Sequence, residues 1–114
     1  MNIKIHGTAP AGLSCRRPNG TWYRNPEIAK WDAAVAKATE GLTAPPYRYY
    51  AVTIAVPRVK GSFLSARVKQ TLDALTRTGF WKDDRLVGSI VVKFAKSSEN
   101  ATSVTIREAQ RKWR

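Results

Sequence analysis

A chain of 114 residues is long enough for one hydrophobic core and too short for two. An apolar fraction of 43% suits a globular domain, no apolar run approaches the ~20 residues that a membrane-spanning helix needs, and the basic residues have no convincing amphipathic anchor beside them, which argues against a membrane surface as partner. Twenty Lys+Arg against eight Asp+Glu leave a net charge of +12, a field that favours polyanions, nucleic acid above all.

The opening "MNIKIHGTAPAG" carries no apolar signal-peptide core and reads as mature sequence. Within it "NIKIHG" alternates, with Ile3 and Ile5 on one side and Lys4 and His6 on the other, so a first strand with a solvent-facing His6 is predicted. "TAPAGLSCRRPNGTWYRN" reads as a long loop punctuated by Pro10, Pro18 and Gly20. It carries Arg16, Arg17, Trp22, Tyr23 and Arg24, a basic and aromatic mixture suited to phosphates and unpaired bases. Cys15, the single cysteine, rules out an internal disulfide, gives no metal-ligand set and fits an ordinary thiol in a reducing compartment.

Asn25, Pro26 and Glu27 predict a helix start, with a cap, a first-turn proline and an acid near the positive end of the dipole. The helix is expected to run to Glu40 and stop at Gly41, with Ile28, Trp31, Val35 and Ala38 on its core face. "YRYYAVTIAVP" predicts a strand with Val52, Ile54 and Val56 on one face, ended by Pro57. A second helix is expected from about Phe63 to Thr78, with Leu64, Val68, Leu72 and Leu75 as its stripe and Gly79 at its C-cap. "LVGSIVVKF" and "ATSVTIRE" predict two strands joined by the polar turn "AKSSEN", and "AQRKWR" a short basic tail, about 108–114. With no internal repeat and no linker, the expectation is a single α/β domain over 1–114: a small mixed sheet of about four strands with two main helices.

Acids are unevenly placed. None occurs between Gly41 and Leu72, while Arg48, Arg58, Lys60, Arg67 and Lys69 do, which fits a surface facing phosphates. Candidate DNA-binding residues are therefore Arg16, Arg17, Arg24, Arg58, Lys60, Arg67 and Lys69.

At "LDALTRTGFWKDDRLV" the sequence resembles the RusA family of Holliday junction resolvases, small phage and prophage endonucleases. Lys69 matches the family's helix lysine, Asp73 to Thr76 its "DAL" segment, Gly79 to Trp81 its Gly-aromatic-Trp, and Asp83 with Asp84 its acid pair before a strand. Trp22, Tyr23 and Arg24 resemble the family's aromatic-Tyr-Arg segment, so the likeness covers most of the chain, specific in "DALTRTGFWKDD" and loose elsewhere. It implies a homodimer in the bacterial cytoplasm that binds four-way DNA junctions and cuts them with magnesium.

The family's helix-start acids would fall at Phe63 and Ser65 and its asparagine at Ala66, and none of the three is kept. Phosphodiester hydrolysis by magnesium needs convergent carboxylates. Asp83 and Asp84 remain as a reduced metal pair and, with Lys69, as a vestigial or weak catalytic set. The expectation is thus a RusA-like protein that binds branched or duplex DNA without normal nuclease activity and without a cofactor. Two alternatives stay open: a working magnesium nuclease with a rearranged site, and a fold recruited to bind and inhibit a host protein. A helix of about sixteen residues would also part its start from the aspartate pair by about 24 Å. Antiparallel packing of two such helices across a dimer axis is one way to reunite them.

Overall fold

The computed structural model describes residues 1–10, 14–57, 64–96 and 100–109, apart from the side chains of Ser14, Leu64 and Asp84. In chain order the elements are β1 (Asn2–His6), β2 (Ser14–Arg16), β3 (Trp22–Arg24), α1 (Glu27–Ala38), β4 (Tyr50–Val56), α2 (Leu64–Arg77), β5 (Val87–Phe94) and β6 (Ala101–Glu108). Four strands form one mixed sheet in the order β1-β6-β4-β5, and β2 with β3 make a separate hairpin. The expected small α/β domain is what the chain adopts.

The unit β4–α2–β5 is a parallel crossover, since β5 runs parallel to β4 with Val52 beside Ile90 and Ile54 beside Val92. β6 then enters antiparallel on the other side of β4, and β1 pairs antiparallel with β6. The two last strands therefore follow each other in sequence without being neighbours in the sheet. Their six-residue connection has to cross two strand spacings, about 10 Å, which six residues at about 3.3 Å each span easily. Ala95 donates its N–H to the Val56 carbonyl at 2.8 Å, extending the β4–β5 ladder before the chain turns away.

One face of the sheet holds the core. Ile3 and Ile5 of β1, Val104 and Ile106 of β6 and Val52, Ile54 and Val56 of β4 are all buried. α1 lies against β1 and α2, and α2 against β4. Ile28, Trp31 and Val35 form the buried face of α1 as their spacing predicts. Asn25 acts one residue outside the cap: its Oδ1 accepts from the Glu27 N–H at 3.0 Å, while Pro26 holds the cap position. The helix closes at Ala38, two residues earlier than expected, and the Thr39 hydroxyl donates to the Val35 carbonyl at 2.8 Å. Gly41 follows in the left-handed region at φ +73°.

α2 ends as its sequence predicts. Gly79 takes φ +81°, the Phe80 N–H bonds the Leu75 carbonyl at 3.0 Å and the Gly79 N–H bonds Thr76 at 3.1 Å. This pair of bonds is a Schellman stop, and Phe80 and Leu75 share the core that accompanies it. Trp81 is buried, stacks on Tyr50 at 5.5 Å between ring centroids and donates Nε1–H to the Thr76 hydroxyl at 2.9 Å. "GFW" is thus a helix stop and a core plug.

At the C-terminus β6 extends to Glu108, and Ala109 still donates to the Tyr49 carbonyl at 3.0 Å. The strand expected of "ATSVTIRE" is thus found over those same residues, and the tail beyond Ala109 lies outside the described residues.

Candidate nucleic-acid interface

The stretch expected to be a loop is in part a hairpin. Ser14, Cys15 and Arg16 pair with Arg24, Tyr23 and Trp22. Three-residue strands are too short for alternation to show in sequence, yet the turn signal was present in Pro18-Asn19-Gly20. Gly20 donates to the Arg17 carbonyl at 2.9 Å, and Arg17 donates to the Thr21 carbonyl at 2.7 Å. Gly20 sits at φ +90°, as the residue that ends a three-residue hairpin loop requires. Asn19 Oδ1 accepts from the Thr21 N–H at 3.0 Å and from the Thr21 hydroxyl at 2.7 Å, pinning the turn.

Strand parity sorts the functional side chains. Arg16, Trp22 and Arg24 share one face of the hairpin, and Cys15 and Tyr23 share the other. The Arg16 guanidinium lies 5.8 Å from the centre of the Trp22 ring, and the Arg17 guanidinium 4.7 Å from that of Tyr23. Trp22 is 64% exposed, more than any other large apolar side chain among the described residues. An arginine held over an exposed ring is poised for two contacts at once: the guanidinium can reach a phosphate, and the indole offers a π-face to a base. A third such pair, Arg48 over Tyr49 at 5.5 Å, sits before β4 and was not among the sequence candidates.

The sheet face away from the helices was also missed. Strand register places Lys4, Ser103, Ala55 and Lys93 in one transverse row across all four strands. His6 and Ala101 lie in the next row on one side; Asn2, Thr105, Thr53 and Val91 form the next row on the other, with Arg107 and Ala51 in the row beyond it. Among the described residues this face carries three permanent cations and no carboxylate, with Ala, Ser and Thr side chains and the exposed Val91 between them. The signal was legible in part, since Lys4 and His6 were read onto one side of their strand.

The remaining candidates disperse. Arg67 is half-buried and donates to the Ala9 carbonyl, so it ties α2 to the segment after β1. Lys69 is exposed and stands with Ser65 and Asp73 on the side of α2 that faces β5. Arg58, Lys60 and Phe63 lie outside the described residues.

Asp83 accepts from the Arg85 backbone N–H at 2.8 Å on one carboxylate oxygen and from Arg85 Nε at 2.8 Å on the other. Asp84 opens the 3-10 turn Asp84–Leu86. Among the described residues no three His, Cys, Asp or Glu side chains stand together. α2 spans fourteen residues, about 21 Å at 1.5 Å per residue, and separates Ser65 at its start from Asp83 beyond its end. Both carboxylate oxygens of Asp83 are engaged by Arg85, and the side chain of Asp84, the other member of the expected metal pair, lies outside the described residues.

No protein-family model matches the chain, and no curated protein is significantly similar to it in sequence.

Proposed function

We propose that this protein binds DNA carrying unpaired or branched segments through the β2–β3 hairpin, and does so without hydrolysing it. The observation that carries the reading is the hairpin face on which Trp22 stands exposed between Arg16 and Arg24. Guanidinium groups gather phosphates, and the indole takes the π-face of a base that a junction or a single strand leaves unstacked. A net charge of +12 supplies the long-range attraction. The resemblance to junction resolvases supports the same class of ligand.

The ligand set opposes cleavage. The Asp83–Arg85 pair is largely exposed, and such a pair is worth under about 1 kcal/mol, so it alone would not keep a metal away. The helix-start positions that would complete a site hold Phe63 and Ser65, neither of them a carboxylate.

A mobility-shift assay with a four-way junction, a single strand and a linear duplex, with and without magnesium, tests the reading. Binding without incision is expected, tightest for the junction and the single strand. Trp22→Ala should weaken those two by about tenfold to a hundredfold, the range of one lost base–aromatic stack. Magnesium-dependent cutting would replace this reading with a nuclease, and wild-type affinity in Trp22→Ala would move the interface off the hairpin.

A further inference from the structure

The chain leaves β1 through Gly7, Thr8 and Ala9, and each of them is fastened. The Gly7 N–H donates to the Asn100 carbonyl at 2.8 Å, and the Gly7 carbonyl accepts from the Thr102 hydroxyl at 3.0 Å. The Thr8 hydroxyl donates to Asn100 Oδ1 at 2.8 Å. These bonds hold the exit to the sheet, and the next one, from Arg67 to the Ala9 carbonyl, holds it to α2. Ala9 and Pro10 are buried, and Ser14 opens the hairpin four positions later. At the other root, Asn25 and Pro26 lead from Arg24 straight into α1, which Asp32 ties to Arg77 of α2. α2 thus anchors both ends of a hairpin whose strands, among the described residues, pair only with each other.

Arg67 is a costly residue for such a joint. Its Nε is buried without a hydrogen-bond partner, and its guanidinium makes no ion pair among the described residues. A methionine or leucine would fill the position without desolvating a charge. We propose that Arg67 is a positioning residue for nucleic-acid binding: its bond to Ala9 aims the β2–β3 hairpin so that Trp22 and its flanking arginines meet DNA as one surface. This role rests on the hairpin reading given above. It differs from a phosphate contact in what it changes. Loss of a phosphate ligand weakens every DNA alike and lowers the slope of log affinity against log salt by about one. A hairpin out of aim loses its stack and keeps its cations.

The test is a mobility-shift comparison of Arg67→Met, Trp22→Ala and the two combined, on a four-way junction, a single strand and a linear duplex. Arg67→Met should weaken the junction and the single strand by about fivefold to tenfold, a part of one base–aromatic stack, with the duplex and the salt slope nearly unchanged. Combined with Trp22→Ala it should add nothing, because both changes act on the same contact. Arg67→Lys keeps a donor and should keep the junction preference, and it decides the matter if Arg67→Met fails to fold. Additive losses, uniform weakening with a lowered slope, wild-type binding by Arg67→Met, or a lost preference in Arg67→Lys each overturn the positioning role and leave the hairpin reading standing. Wild-type binding by Trp22→Ala removes the hairpin reading and this role with it.

Discussion

Tyr50 shows how a single side chain can set a limit on stability. Its ring is buried between Tyr47 and Trp81, and its hydroxyl donates to the Pro45 carbonyl at 2.7 Å. Burial raises its pKa above the ordinary tyrosine value. The unfolded chain therefore releases this proton first as pH rises. The stabilisation is whole below a pH of about 10 and is lost as pH climbs through the raised value. Denaturant midpoints measured from pH 8 to 12 should fall at the alkaline end, and Tyr50→Phe should flatten that fall while costing about 1 kcal/mol at neutral pH for the lost hydrogen bond. A midpoint curve unchanged by Tyr50→Phe would assign the alkaline loss to other groups. Arg77 is shifted in the same direction by a different cause. It grips Asp32 with two bonds of 2.8 and 3.0 Å, the hydrogen bond raises its pKa further, and the pair pins α2 to α1.

The elements differ in how far their sequences announce them. α1, β4 and α2 were legible because each is long enough to show its period: Ile28, Trp31 and Val35 at helical spacing, Val52, Ile54 and Val56 in alternation. The Gly79 stop was legible because one residue type satisfies a positive φ cheaply. Gly79→Ala should cost about 1 kcal/mol and lower the melting temperature in calorimetry by several degrees; an unchanged transition would mean the Schellman bonds are dispensable. The hairpin hid in three-residue strands, with the Pro-Asn-Gly turn as its sole signal. The order of β5 and β6 hid for another reason, since which strand neighbours which is decided by non-local pairing that no local pattern encodes. Arg67 was read as a phosphate ligand from its charge alone, and the acceptor it uses, Ala9, lies 58 positions away in sequence.

At the scale of the molecule, cations fall into two groups with different geometry. Arg16, Arg17 and Arg24 sit on a narrow hairpin beside exposed rings. Lys4, Lys93 and Arg107 spread over the open sheet face, with Ala, Ser and Thr side chains and the exposed Val91 between them. Among the described residues this face has no Trp, Tyr or Phe ring to stack on a base, so it suits the uniform backbone of a duplex. Lys93→Gln with Arg107→Gln should reduce the slope of log affinity against log salt by about two on linear duplex. The preference for junction over duplex should survive, because it rests on Trp22. An unaltered slope would leave the sheet face outside the binding surface.

The insertion of β6 between β1 and β4 has a consequence for assembly of the chain. The strand that β1 needs as a partner is β6, made after every other described element of the fold. Val104 pairs with Ile3 on one side and Ile54 on the other. During synthesis the β4–α2–β5 unit can form early, while β1 must wait with Ile3 and Ile5 exposed until the closing segment has left the ribosome. Such long-range closure slows folding and lengthens exposure to misassociation. Removal of β6 would thus unravel β1 at the other end of the fold as well.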